Sequence, residues 1–238
     1  YRYAFARSHK VFFQNEDDRQ LFITEKLVYR SVADCLPGSG VDLKKFQPVP
    51  LPTRSPIRFL LVARILWSKG IGDFVECAKI INAKDKIARF VLAGEPDLNN
   101  PDAIPVELLK NWDKNGLVEW WGYQSDMPQI LAKSTIVCLP TSYGEGLPKS
   151  LLEAASCARP IVTYDVPGCR EIVINGYNGF LVEKKNILDL ANSIKLLISN
   201  NNLSQSMGKK GRQMVKKYFS NHIINKQTRA VWIELLSK

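Results

Sequence analysis

The sequence predicts an α/β fold in which a doubly wound parallel sheet is followed by C-terminal helices. Short apolar runs typical of buried strands alternate with helical patterns through most of the chain, and this alternation favours parallel strands joined by helices. After about residue 186 only the helical spacing continues. With 238 residues and 45% hydrophobic content, the chain can bury a sizeable core as one large domain or two small ones.

The predicted strands are apolar runs bounded by glycine, proline or charged residues. In chain order they are 11–14, 57–63, 88–94, 117–121, 135–139, 161–164 and 180–182. The predicted helices are 17–25, 70–83, 105–114, 127–133 behind the N-cap Asp126, one from Pro148, a turn near Glu171, and then 186–199, 203–217 and 221–236. The proline-rich run 48–56 is predicted to be a plain connector.

The stretch 143–157 contains the most informative turn. It follows a strand that ends at Pro140, Gly144 and Gly146 allow a tight backbone, and Pro148 suits the first position of a helix. The start of that helix offers free backbone N–H groups and the positive end of a dipole. We therefore expect a phosphate-binding site at this turn.

Two carboxylates, Glu145 and Glu153, lie on either side of this helix start. Along a helix axis their spacing would be about 12 Å, the separation needed to contact both ends of a nucleoside diphosphate sugar. Carboxylates accept hydrogen bonds from hydroxyls and repel phosphate, so one would bind a sugar and the other a ribose. The alternative is that both are solvated glutamates on an ordinary helix.

Two cations, Arg64 and Lys69, occupy the loop after the strand 57–63. The carboxyl ends of parallel strands are where open α/β sheets bind ligands. A guanidinium and an ammonium five residues apart can approach one diphosphate from the same side. The alternative is a pair of exposed loop cations, and Trp67 between them is expected to pack rather than bind a base.

The pattern Glu145-x7-Glu153, within EGLPKSLLEA, resembles the signature of retaining glycosyltransferases of the GT-B fold, sequence family four. Further segments resemble the same family in the same order, and together they cover about residues 36 to 182. They are 36–42 (LPGSGVD), 62–70 (VARILWSKG), 91–95 (VLAGE), 121–123 (WGY) and 167–182 (PGCREIVINGYNGFLV). The ordered set is much more specific than any single segment.

The resemblance implies a Rossmann-like C-terminal half that binds a nucleotide sugar. It assigns the donor-sugar hydroxyls to Glu145 and the ribose hydroxyls to Glu153, and it places Arg64 and Lys69 on the departing diphosphate. Glu145, Arg64 and Lys69 are thus the expected catalytic residues. The other donor-binding candidates are Gly146 and Leu147 through their amides, Pro148 at the helix start, and, more weakly, Gly38, Gly40, Gly94 and Tyr123.

The implied reaction is transfer of a hexose or N-acetylhexosamine to a saccharide or lipid-linked acceptor in bacterial polysaccharide synthesis. A UDP-sugar donor is expected by analogy, without a metal or cofactor. The resemblance also implies that 1–40 ends an N-terminal acceptor domain otherwise missing from the sequence, that 41–220 binds the donor, and that 221–238 crosses back to the acceptor domain. The alternatives are a nucleotide-sugar epimerase, a phosphorylase, or a binding module without turnover.

Composition limits the partners and the compartment. The formal charge of +10 favours a solvated basic face or peripheral contact with anionic lipid over nucleic acid, because no nucleic-acid motif accompanies it. No apolar run is long enough to span a bilayer, so a cytoplasmic protein is expected. Scattered cysteines favour buried free thiols in a reducing compartment. The basic residues that would form the solvated basic face are Lys209, Lys210, Arg212, Lys216 and Lys217. The cysteines are Cys35, Cys77, Cys138, Cys157 and Cys169.

Overall fold

The N-terminal residues form a small lobe with its own two-stranded sheet. In the computed structural model, which describes residues 1–52, 56–84 and 86–237, this lobe has its own apolar cluster around Val11, Phe13 and Ala33. Its elements are α1 (Arg2–Phe5), β1 (Val11–Phe13), α2 (Glu16–Thr24) and β2 (Ala33–Cys35), with β1 parallel to β2. We call residues 1–36 the N-terminal lobe.

The main sheet has six strands, all parallel, in the order β5-β4-β3-β6-β7-β8. They are β3 (Ile57–Val62), β4 (Ala88–Ala93), β5 (Glu119–Trp120), β6 (Ile136–Leu139), β7 (Ile161–Tyr164) and β8 (Gly179–Val182). In the register, Leu60 of β3 pairs with Val91 on one side and Val137 on the other. The chain therefore builds outward from β3 in one direction and then returns to β6 and builds in the other, which confirms the doubly wound sheet.

Helices cover both faces of this sheet, which explains why its central strands are continuous apolar runs. Phe59, Leu60 and Leu61 of β3 are all buried, and Phe59 stacks on Phe90 of β4. The helices are α3 (Ile71–Ile81), α4 (Val106–Lys114), α5 (Met127–Lys133), α6 (Lys149–Ser156), α7 (Cys169–Ile172), α8 (Ile187–Ser199), α9 (Asn201–Met214) and α10 (Asn221–Leu236).

The structure differs from the predicted elements where local sequence is a weak guide. β2 was not predicted, because three residues of mixed polarity resemble a loop. The edge strand β5 is only Glu119–Trp120, because it pairs with β4 alone. A short 3-10 turn, Trp67–Lys69, precedes α3, and α9 ends at Met214 in a π-helical turn.

The chain between the N-terminal lobe and β3 includes the proline-rich run. Two arginines hold this chain in place, so it is not a plain connector. Arg159 is fully buried and donates to the carbonyl of Val49 at 2.9 Å. Arg212 donates to the carbonyls of Phe46 at 2.8 Å and of Ser156 at 2.9 Å. This corrects the expectation that Arg212 belongs to a solvated basic face. Residues 53–55 of the proline-rich run lie outside the described residues.

The C-terminal helix α10 runs back to the N-terminal lobe. It begins beside the connecting chain, where the amide of Asn221 donates to the carbonyl of Val41 at 3.0 Å. At the other end, the pKa of Lys10 is raised mainly by its hydrogen bond to Asp34, and the charge of Glu234 on α10 adds to the rise. This helix leaves Trp232, Ile233 and Leu236 exposed. Residue 238 lies outside the described residues.

Two further observations concern the cysteines and the helix lengths. All five cysteines are free thiols, and four are buried as expected, but Cys35 is exposed. Within residues 1–52, 56–84 and 86–237, no helix combines the length and the apolar character needed to cross a membrane.

We predict that Arg212→Met destabilises the chain by about 2 kcal/mol or more, because buried carbonyls of the connecting chain lose their donor. Urea unfolding measures the change. Lys216→Met, at an exposed position on the turn after α9, is the matched control and should change stability little. Equal effects of the two substitutions would show that Arg212 is not anchoring the chain.

Candidate functional site

The candidate site is a crevice at the carboxyl ends of β3 and β6. These adjacent strands are where the strand order reverses, so the loops after them diverge and leave an opening. A cavity of about 160 Å³ lies there, and its lining includes Arg64 and Lys69 from the β3 loop and Glu145 and Pro148 from the β6 loop. The structure thus brings together the two stretches that the sequence placed on one ligand.

Lys69 and Glu145 form an ion pair inside this crevice. The Lys69 ammonium donates to Oε1 of Glu145, and the hydroxyl of Thr141 donates to the same oxygen at 3.1 Å. Both charged side chains are only 14% exposed, so solvent screens their attraction weakly. The sequence pattern predicts Lys69 and Glu145 as ligands of different groups and gives no role to Thr141. The position of Thr141, as a polar residue directly after the strand-ending Pro140, is the signal that could have identified it.

Arg64 lies on the other side of the opening, at the junction with a larger cavity. Its side chain is 63% exposed and pairs with Asp97 at 3.1 Å. The larger cavity, of about 420 Å³, is lined by Arg64, Gly94, Glu95, Tyr123 and Met127 among others. Arg64 lines both cavities, as do Val62 and Ala63 before it, so the two cavities adjoin at the end of β3.

The start of α6 forms the floor of the smaller cavity through Pro148, Lys149 and Ser150. Pro148 is the N-cap residue and not the first helical residue, one position from the expectation, and no side chain caps the helix. The first N–H groups of a helix have no acceptor within it. They are therefore the donors that an anion in this cavity would meet.

The weaker glycine candidates are explained by contacts within the protein. A Cβ on Gly94 would lie 1.9 Å from the carbonyl oxygen of Ala63, so glycine is required where the ends of β3 and β4 meet. Gly38 contacts the side chain of Leu147, which is buried, and Gly40 packs against Asn221 at the start of α10. Neither Gly38 nor Gly40 lines the two cavities described above.

Glu153 lies one helical turn beyond Lys149, on the same face of α6, and does not line either cavity. It is only 9% exposed. Burial raises the pKa of its carboxyl group, and the positive charges of Lys149 and Lys45 partly oppose the rise. A carboxylate kept at an energetic cost is typical of a binding site, where hydroxyl donors would compensate it.

The fold and the crevice define a doubly wound α/β domain with an opening at the switch point of its parallel sheet. The chain belongs to the family described as "Glycosyl transferases group 1", whose model matches residues 44–214. The named relatives are glycosyltransferases, and the described sheet is that of the GT-B fold, as the resemblance implied. Within the described residues, no group of three or more His, Cys, Asp or Glu is placed to hold a metal ion.

Two curated relatives show the extent of the similarity. The Campylobacter jejuni N,N'-diacetylbacillosaminyl-diphospho-undecaprenol alpha-1,3-N-acetylgalactosaminyltransferase is 33% identical over 235 residues. The match covers 94% of this chain and 60% of that protein. The Escherichia coli UDP-Gal:alpha-D-GlcNAc-diphosphoundecaprenol alpha-1,3-galactosyltransferase is 28% identical over 218 residues. This match covers 87% of this chain and 55% of that protein. The chain thus spans little more than half the length of these relatives.

Solved structures show the same fold at lower identity. HepE of Anabaena in complex with UDP superposes with a TM-score of 0.86 at 20% identity, over 97% of this chain and 65% of that one. Sucrose-phosphate synthase from Thermosynechococcus elongatus also superposes with a TM-score of 0.86 at 20% identity, over 99% of this chain and 60% of that one.

We predict that Glu153→Gln stabilises the chain at pH 7 and has little effect near pH 4. The raised pKa means that folding favours the protonated form, so the stability contribution is complete at low pH and is lost as pH rises through the folded-state pKa. The neutral amide avoids this loss. Urea unfolding of both proteins at the two pH values measures the difference, and a gap independent of pH would contradict the assignment.

Proposed function

We propose that this chain is the donor-binding part of a retaining glycosyltransferase that transfers a hexose or N-acetylhexosamine from a nucleotide sugar. The observation that supports this most directly is the convergence of Lys69, Glu145 and the start of α6 on one cavity at the switch point. A diphosphate needs cations and backbone donors, and a sugar needs a carboxylate acceptor. This cavity offers all of them within one small volume.

The two adjoining cavities match the two parts of a nucleoside diphosphate. The larger one, with Gly94 at its wall and the exposed ring of Tyr123, would take the nucleoside. The smaller one would take the diphosphate, with Arg64 at the junction between them. The family resemblance assigns Glu153 to the ribose hydroxyls, and this assignment rests on the resemblance alone because Glu153 lines neither cavity.

Lys69 and Glu145 neutralise each other in the crevice, and a donor would give each of them a new partner. The diphosphate attracts the ammonium, and the sugar hydroxyls donate to the released carboxylate. As the bond to the sugar breaks, negative charge grows on the diphosphate, where Lys69, Arg64 and the amides of Gly146 and Leu147 would stabilise it. Retention follows if the acceptor attacks from the face that the leaving group departs.

The donor base and the acceptor are inferred from the relatives. The Escherichia coli relative is named for UDP-galactose and a lipid-linked acceptor, and several structural neighbours contain UDP. We therefore propose a UDP-sugar donor and a saccharide or lipid-linked acceptor in bacterial glycoconjugate synthesis. Residues 41–220 would bind the donor, and 1–40 together with α10 would belong to the interface with an acceptor domain. We place the enzyme in the cytoplasm, where a lipid-linked acceptor would bring it into peripheral contact with the membrane.

We predict that the chain binds UDP without added metal and that Arg64→Ala weakens this binding about tenfold while leaving uridine binding nearly unchanged. Titration calorimetry in the presence of a chelator measures both ligands. Arg89→Ala is the matched control, because Arg89 is also an exposed arginine paired with one carboxylate, Glu119. An absence of binding to UDP, ADP and GDP would contradict the proposed site.

We predict that Glu145→Ala, in the complete protein, reduces sugar transfer by about a hundredfold or more and changes UDP affinity far less, because the carboxylate is assigned to the sugar. Product analysis with a UDP-sugar and an acceptor measures transfer, with Glu183→Ala at an exposed position as control. Unchanged transfer would remove Glu145 from the reaction. Free sugar or a sugar phosphate as the product would favour an epimerase or a phosphorylase.

A further inference from the structure

Asn15, in the N-terminal lobe, reaches across to the loop that carries Glu145. Asn15 is only 2% exposed. The amide nitrogen Nδ2 donates to the carbonyl oxygen of Gly146 at 2.9 Å and to that of Glu145 at 3.2 Å. One side chain, 130 residues earlier in the chain, therefore holds two consecutive carbonyl groups of the site.

This contact determines the direction of the amides proposed to bind the diphosphate. The carbonyl of Glu145 shares a planar trans peptide unit with the N–H of Gly146, and the carbonyl of Gly146 shares one with the N–H of Leu147. In a trans unit the C=O and N–H bonds point in opposite directions. Because both carbonyls face Asn15, both N–H groups point away from it. Donation to the carbonyls also polarises the two peptide units, which makes their N–H groups stronger donors.

The loop has little room to adopt another arrangement. Gly168, at φ +82°, packs against the same two carbonyls, and a Cβ there would lie 2.4 Å from the oxygen of Glu145 and 2.6 Å from that of Gly146. On Gly146 itself, a Cβ would lie 2.4 Å from Oε1 of Gln14, the neighbour of Asn15. The two peptide units are thus enclosed between the N-terminal lobe and the loop after β7.

Asn15 has a second role as the N-cap of α2, in which the capping acceptor is Oδ1 and not the Nδ2 that contacts the loop. Its Oδ1 accepts from the amide of Asp18 at 2.7 Å, and Nδ2 also donates to the carboxylate of Asp18 at 2.8 Å. Asn186 caps α8 in the same way, accepting from the amide of Asp189 at 3.1 Å and donating to its carboxylate at 2.7 Å. A cap of this kind therefore does not require a contact with the Glu145 loop.

We propose that Asn15 is a positioning residue for the donor site: its side-chain amide orients the N–H groups of Gly146 and Leu147 and the backbone of Glu145 toward the diphosphate. Diphosphate affinity then depends on the N-terminal lobe as well as on the main sheet. This inference rests on the proposed function, because it needs a diphosphate beside the Glu145 loop, where Gly146 and Leu147 lie between the cavity-lining residues Glu145 and Pro148.

The test compares Asn15→Ser with Asn186→Ser in the 238-residue chain. Serine is a good N-cap acceptor, so both variants keep a helix cap, but only Asn15→Ser removes the donor to the loop carbonyls. We expect Asn15→Ser to weaken UDP binding about tenfold. Uridine binding should stay within about twofold of the unsubstituted chain in both variants, because uridine lacks the diphosphate. Calorimetry measures binding, and urea unfolding compares the stability of the two variants.

Two results would overturn the inference. If the two variants bind UDP with affinities within about twofold of each other, Asn15 acts only as the N-cap of α2. An equal loss of UDP and uridine binding would show general disruption of the crevice. Failure of the proposed function is a separate result, because the unsubstituted chain would then bind no UDP.

Discussion

The reversal of strand order between β3 and β6 is the constraint on which the site depends. Two adjacent parallel strands whose connections run in opposite directions leave a gap above their carboxyl ends that no helix covers. The backbone groups and side chains at that edge remain accessible although the strands below are buried on both faces. The position of the crevice therefore follows from the order in which the sheet is built, and the loops after β3 and β6 supply its chemistry.

Three ionisable side chains, Lys69, Glu145 and Glu153, are largely buried in or beside the crevice. Lys69 and Glu145 are mostly buried and pair with each other, with Thr141 as a further donor to the carboxylate. Glu153 is buried without a comparable partner, and burial raises the pKa of its carboxyl group. Such groups contribute little to stability, because removing a charge from water costs much of what pairing returns. A ligand with phosphates and hydroxyls would give the ammonium and the two carboxylates more hydrogen-bond partners than the protein alone provides.

Much of the fold was predictable because its signals are local and repeated. The strands around Leu60, Val91 and Val137 are apolar runs long enough to identify, and the helices from α3 to α10 show clear spacing or caps, such as Asp126 before α5. β2 and the two-residue β5 could not be predicted well, because a short strand is defined by its partner and not by its own residues. The anchoring of the connecting chain by Arg159 and Arg212 also depends on distant carbonyls, which no local pattern reveals.

The amino-acid sequence by itself determined the alternation of elements, the family resemblance and the residue types of the site. Arg64, Lys69, Glu145 and Glu153 could all be named as candidates from motif and spacing, because few side-chain types suit a diphosphate and a sugar. Only the tertiary structure decided which groups meet: that Lys69 pairs with Glu145, that Gly94 is required by Ala63, and that Asn15 holds the Glu145 loop. The physical reason is that hydrogen bonds and ion pairs act over a few ångströms, and only folding brings residues distant in the chain within that range.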